Sequence, residues 1–159
     1  MSLSERLQAE LTTAMRNQDA LRRDTLRMAV SAVYNAEKDS RRPLSDDEQL
    51  AVLTREVKRR RESVDAYRNA KRSDLAEKEE AEIRVLSEFM PAAIPDDELR
   101  AMVLAAIEAT GASSARDLGR VMAVLSPKTR GRADGRVVSG MVAQELAQRD
   151  VTAHAKEHR

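Results

Sequence analysis

Apolar residues recur at three- and four-residue spacing along almost the whole chain, the signature of amphipathic helices. Leu3, Leu7, Leu11 and Met15 form the first stripe, with Ser2 and Glu5 set as a capping box ahead of it. The polar run Asn17-Gln18-Asp19 breaks that helix. A second helix is predicted from about Ala20 to Asp39, with Leu26, Val30 and Val33 inward and Met28 and Ala32 beside them. After the turn Arg41-Arg42-Pro43-Leu44, Ser45 and Glu48 repeat the capping box and open a long third helix to about Arg72. Its seam is Leu50, Leu53, Val57, Arg60, Val64 and Tyr67, heptad spacing with one basic residue in an apolar slot. A fourth helix from Ser73 or Asp74 turns Leu75, Ile83, Leu86 and Met90 inward.

Pro91 and Pro95 cannot both lie inside one regular helix, so a domain boundary is placed between them. Pro95-Asp96-Asp97-Glu98 reads as a new helix start. That fifth helix carries Leu99, Met102, Val103, Ala106 and Ile107 and stops near Gly111. Ser114 and Asp117 cap a sixth, with Leu118, Val121, Met122 and Leu125, which Pro127 ends. Asp134 caps a seventh, with Val137, Val138, Met141, Val142 and Leu146 inside. The expected fold is all-α: a four-helix N-terminal domain over 1–90, a small three-helix domain over 95–148, and a polar flexible tail over 149–159.

Composition narrows the picture. Aromatic residues are only 2% of the chain, so the core must be Leu, Val, Ala and Met, and both Tyr34 and Tyr67 are expected to contribute to it. With no cysteine, disulfides and thiolate metal sites are excluded. No apolar run approaches the roughly 20 residues that span a bilayer, and charges occupy the N-terminus where a signal peptide needs apolar residues, so a cytoplasmic location is expected and no membrane partner. The net charge of +1 hides local asymmetry: residues 55–72 carry +5, residues 74–88 carry −4 and residues 116–136 carry +4.

The last of these blocks is the most pointed. Lys128, Arg130, Arg132 and Arg136 crowd a junction with Gly131 and Gly135, which allow positive φ, just before a helix whose first amides lack intrahelical acceptors. Such a junction suits a phosphate, which arginine can grip with two parallel hydrogen bonds. From spacing alone, a solvated inter-helix turn kept basic for solubility is the plainer reading. A secondary basic surface, Arg55, Lys58, Arg59 and Arg61, is either an RNA or acidic-partner face or a solvated helix flank, with Arg60 snorkelling over the seam. The acidic run Glu77, Glu79, Glu80 and Glu82 is its natural counter-surface. His154, Glu157 and His158 match the H-x-x-E-H spacing of some zinc peptidases, but at the chain end no third ligand follows, and a polar tail is the better reading. Without cysteine, a G-x-S-x-G elbow or a histidine within either domain, no catalytic residue, metal or cofactor is expected.

Several motifs resemble one family. Phe89-Met90-Pro91 followed by Pro95-Asp96-Asp97-Glu98-Leu99 is similar to the "YLP…S-x-E-E-L" join of YqeY-like proteins. Asp117-Leu118-Gly119-Arg120-Val121-Met122 and Lys128-Thr129-Arg130-Gly131-Arg132-Ala133-Asp134-Gly135 resemble that family's "D-M-G-K-V-M" and "P-K-x-K-G-R-A-D-G". Leu21-Arg22-Arg23-Asp24-Thr25-Leu26-Arg27-Met28 is a looser match to its "K-L-R-L-L" helix. The departures (Phe89-Met90, Leu118, Arg120, Arg130) keep size or charge. The resemblance implies a helical GatB/YqeY fold whose C-terminal domain is shared with the tail of the GatB subunit of glutamine-dependent aminoacyl-tRNA amidotransferases, where it contacts tRNA. By that resemblance Lys128, Arg130, Gly131 and Arg132 are tRNA-backbone positions. The expected function is a tRNA-binding accessory to such amidation, with no catalytic centre of its own. The expected partners are tRNA and an amidotransferase or synthetase protein. Two alternatives stand beside it: a helical protein–protein adaptor docking through the Leu50–Tyr67 seam or the Met-rich small domain, and a carbon–nitrogen ligase with glutamine as amido-N-donor, acting with partner subunits.

Overall fold

The computed structural model describes residues 1–157, and among them every regular element is helical. The chain divides into two compact units, Met1–Pro91 and Ala92–Arg159. The first holds α1 (Leu3–Arg16), α2 (Ala20–Ser40), α3 (Asp46–Asn69) and α4 (Ser73–Ser87). The second holds α5 (Asp96–Thr110), a 3-10 turn (Ala115–Asp117), α6 (Leu118–Thr129) and α7 (Gly135–Glu157).

Both predicted capping boxes form. The Ser2 hydroxyl accepts from the Glu5 amide and the Ser45 hydroxyl from the Glu48 amide, with each glutamate returning to its cap's N–H at 2.8 Å. Glu48 is also gripped by both Nη atoms of Arg42, at 2.9 and 2.6 Å. These contacts, the Arg42 guanidinium first, hold its carboxyl down at about 2, from an ordinary 4.5. A folded-state value below the unfolded one contributes stability that is complete above about pH 4.5 and lost as pH falls towards 2. Glu48→Gln should therefore lower the melting temperature at pH 7, and the difference from wild type should disappear near pH 2.

The core of the first unit is built from Leu3, Leu7, Leu11, Leu26, Val33, Leu53, Val57, Leu86 and Phe89. Met15, expected in the α1 stripe, is instead 52% exposed, and Ala14 is buried in its place. A four-residue step advances 400° on a helix of 100° per residue, so three steps rotate the stripe by about 120° and carry Met15 out of the core. Met28 and Tyr34 on α2 are likewise exposed, because Ala29 and Val33 occupy the inner face. Of the predicted α3 seam, Leu53, Val57 and Val64 are buried, Leu50 and Tyr67 only half-buried, and Arg60 is inside with them, only 5% exposed. Arg60 does not snorkel. Its guanidinium meets Glu56 at 3.0 Å and Glu82 of α4 at 3.1 Å, inside the unit. Arg68 pairs with Glu80, so the acidic helix does face the basic one.

In the second unit, Ile94, Leu99, Val103, Ile107, Val121, Leu125, Val138, Val142 and Leu146 form a separate core. Gly111 ends α5 in the left-handed conformation, at φ 66°. Pro127 does not stop α6 at its own position. The helix runs two residues further, and the hydroxyl of buried Thr129 donates to the Leu125 carbonyl at 3.2 Å. Val137, expected inward, is 47% exposed, since Val138, Val142 and Leu146 already fill the inner face of α7. Residues 149–157, expected as a flexible tail, continue α7 as helix, half-buried at Arg149 and Asp150 and exposed from Val151 on, with helix-favouring Ala153, Ala155, Lys156 and Glu157 in the last turns. His154 there is exposed and lies 3.6 Å from Asp150, while His158 falls outside the described residues.

Candidate nucleic-acid interface

The basic junction predicted from the sequence is a tight connection between α6 and α7. Lys128 and Thr129 belong to the last turn of α6, and Gly135 and Arg136 to the first turn of α7. Between them the chain leaves the helix at Arg130, where ψ rises to 127°, and Gly131 takes φ 74°. The Thr129 carbonyl accepts from the amides of Arg132 and Ala133, at 2.9 and 3.0 Å, which closes the turn. A left-handed residue in that turn explains one glycine. Gly135 is helical, so the positive φ expected there is not used. Gly131→Ala should cost about 1 kcal/mol of stability, whereas Gly135→Ala, with open space around an added Cβ, should add about 0.4–1 kcal/mol. Urea denaturation of the two variants checks the opposite signs.

A strap from the start of the unit fixes the junction. The Ile94 amide donates to the Arg132 carbonyl at 2.9 Å, and Arg132 Nε donates to the Ala92 carbonyl at 3.3 Å. Ile94 itself is buried in the second core. Arg132 is half-buried and spends one donor on this strap. Of the amides that open α7, expected from the sequence both as free donors and as capped by Asp134, one is taken by that cap. The Asp134 carboxylate accepts from the Arg136 amide at 2.9 Å and brings a negative charge to the positive end of the helix. The junction's other exposed cations lie at the α6 end. Lys128 and Arg130 are both exposed there, and neither makes an ion pair among the described residues. Arg136 is exposed on the first turn of α7.

The secondary basic run divides by helical phase. Arg60 turns into the core. Arg55 and Arg59 face a groove of about 630 Å³ between α2 and α3, with Arg59 lying 3.7 Å from Glu56. Lys58 and Arg61 are exposed and do not line it. Sequence reasoning did not find this groove. The signal was the pair Ala32 and Ala36, four residues apart on α2 and flanked by exposed Met28: a face too small-residued to fill the space beside α3. The other proposed docking face, the Leu50–Tyr67 seam, is closed, since Leu53, Val57 and Val64 are buried within the unit. Among the described residues no His, Asp or Glu cluster could hold a metal ion, and no helix is long and apolar enough to cross a membrane.

An all-helical chain whose second unit presents a strapped, basic helix–helix junction is the class of protein that this fold and site define. The comparison with known proteins makes it more specific. Residues 4–146 match the YqeY-like protein family, and the chain belongs to that family. It is 31% identical over 143 residues to "Altered inheritance of mitochondria protein 41, mitochondrial" of Pyrenophora tritici-repentis, covering 87% of this chain and 78% of that one. It is 33% identical over 90 residues to the protein of the same name in Eremothecium gossypii, covering 56% of this chain and 49% of that one. These names place those relatives in mitochondria, whereas the sequence alone pointed to the cytoplasm.

Proposed function

We propose that this protein binds tRNA through the α6–α7 junction of its second unit, as an accessory to tRNA-dependent amidation. The observation that carries the reading is the exposed pair Lys128 and Arg130, without carboxylate partners among the described residues, on a turn held by the Ile94 and Arg132 strap. A cation without an internal partner keeps its full charge for a phosphate, and a braced turn loses little freedom on binding. The accessory role rests on the likeness of this unit to the tail of amidotransferase subunits. Contacts of this kind go to the nucleic-acid backbone and supply affinity rather than sequence discrimination.

The test is an electrophoretic shift with total tRNA across a salt series. Wild type should bind, with affinity falling linearly in log[salt]. Lys128→Ala with Arg130→Ala should weaken binding and flatten the salt slope by about two, one for each lost phosphate contact. An unchanged slope removes the junction from the interface. No shift by wild type at low ionic strength sinks the tRNA reading itself.

A further inference from the structure

The geometry points to the groove between α2 and α3 as a docking site for an acidic amphipathic helix of a partner protein. Met28, Ala32 and Ala36 of α2 form its apolar side, with Val52 of α3 opposite. Met28 is 54% exposed, an unbranched side chain able to mould itself to an apolar partner. The two alanines, one turn apart, let a helical backbone approach closely, and ridge-into-groove packing against two antiparallel helices is the natural way to fill such a space. From Met28 to Asp39 the groove follows α2 for about 16 Å, or some three turns of a docked helix.

Charge complementarity selects the occupant. Arg27 and Arg55 line the groove without an ion pair among the described residues. Glu56, the carboxylate between them, is already committed to Arg60 at 3.0 Å and lies 3.7 Å from Arg59. The lining thus sets Arg27, Arg55 and Arg59 against Asp39 and Glu56, an excess of positive charge with arginines on both sides of an apolar floor. That matches a stripe of leucine-like residues flanked by glutamate or aspartate, recognised as a helix in a groove. A bare polyanion would leave the apolar floor unused. The groove also has polarity: Arg27 and Arg59 stand at one end and Asp39 at the other. The occupant's C-terminal end, negative by its helix dipole, belongs at the arginine end, so it runs antiparallel to α2 and parallel to α3.

The test uses the full chain and a fluorescein-labelled 18-residue helical peptide. The peptide carries leucine at alternating three- and four-residue spacing, with glutamate flanking that stripe in its C-terminal half. Fluorescence anisotropy should show saturable binding. The same peptide with lysine for glutamate should bind at least about tenfold more weakly, and moving the glutamates to the N-terminal half should also weaken it. Arg27→Glu with Arg55→Glu should lose at least about tenfold in affinity. Ser31→Trp, which blocks the groove without changing charge, should do the same, with far-UV circular dichroism confirming that both variants remain helical. Lys128→Ala with Arg130→Ala should bind the peptide as wild type does, which separates this site from the tRNA reading. The inference is overturned if wild type ignores the peptide or if the groove variants bind it undiminished. It is equally overturned if those variants lose tRNA affinity while peptide binding is unchanged, because the groove then serves nucleic acid.

Discussion

Arg60→Ala is expected to destabilise the first unit by about 3–5 kcal/mol, the range found when one member of a buried ion pair is removed. The Arg60 side chain is 6% exposed and those of Glu56 and Glu82 are each 12% exposed, so water cannot readily replace the lost guanidinium. Two carboxylates would remain inside the helix pack, with Glu79 beside them. Burial, and then the neighbouring Glu82, already push the Glu79 carboxyl up from its ordinary range. The Arg60 charge opposes those two effects on Glu79, so its removal should push the Glu79 carboxyl further up. A folded-state value above the unfolded one means that protonation favours the folded form. The deficit should therefore be largest near pH 7 and shrink as pH falls through the raised value towards the ordinary carboxylate range. Urea denaturation at pH 7 and pH 5 measures both the loss and its recovery. A companion variant separates charge from packing. Arg60→Met with Glu56→Leu and Glu82→Leu removes the whole network and should recover most of the stability, since well-packed apolar replacements of buried ion pairs are often neutral or better. If Arg60→Ala unfolds no more easily than wild type at pH 7, the buried triad is not part of what holds α3 to α4.

Leu125→Ala is expected to cost about 2–5 kcal/mol in the second unit, a loss of transfer free energy plus a cavity. Leu125 is 1% exposed, and its carbonyl accepts the Thr129 hydroxyl in the turn that carries Lys128. A unit of this size buries a modest core, so the loss is a large part of its stability. Thermal denaturation followed by circular dichroism should show an early transition from this unit alone. tRNA affinity should fall in the same temperature range, although no charged residue has changed. Retained affinity above that early transition would show that the junction needs no folded scaffold.

Much of this architecture was legible from spacing alone. The capping boxes at Ser2 and Ser45, the stop at Gly111 and the α3 seam follow from local rules: side-chain oxygens that cap amides, a glycine that accepts positive φ, and apolar residues at helical period. The ends of α1, α2 and α3 were visible as polar breaks rather than as glycines. Gln18, Arg41 and Lys71 take left-handed φ of 54°, 55° and 59° without being glycine, and all five glycines of the chain lie at or after position 111. At the ends of the first three helices local backbone hydrogen bonds close those turns: the amides of Asp19, Arg42 and Arg72 donate to the carbonyls of Ala14, Glu37 and Tyr67.

What the sequence determined by itself is the class: an all-α chain of the YqeY-like family with a basic block between two helix patterns. Periodicity and capping are local, and one chain carries them completely. Tertiary structure decided which of the clustered charges are available. Arg60 and Arg59 are neighbours in sequence, yet 100° of helical rotation puts one against Glu82 in the core and the other on a groove. Arg132 and Arg130 lie two residues apart, yet the strap to Ala92 engages the first and leaves the second exposed. Charge composition is a sum along the chain, whereas the potential that a ligand meets depends on which partners folding brings within a few ångströms.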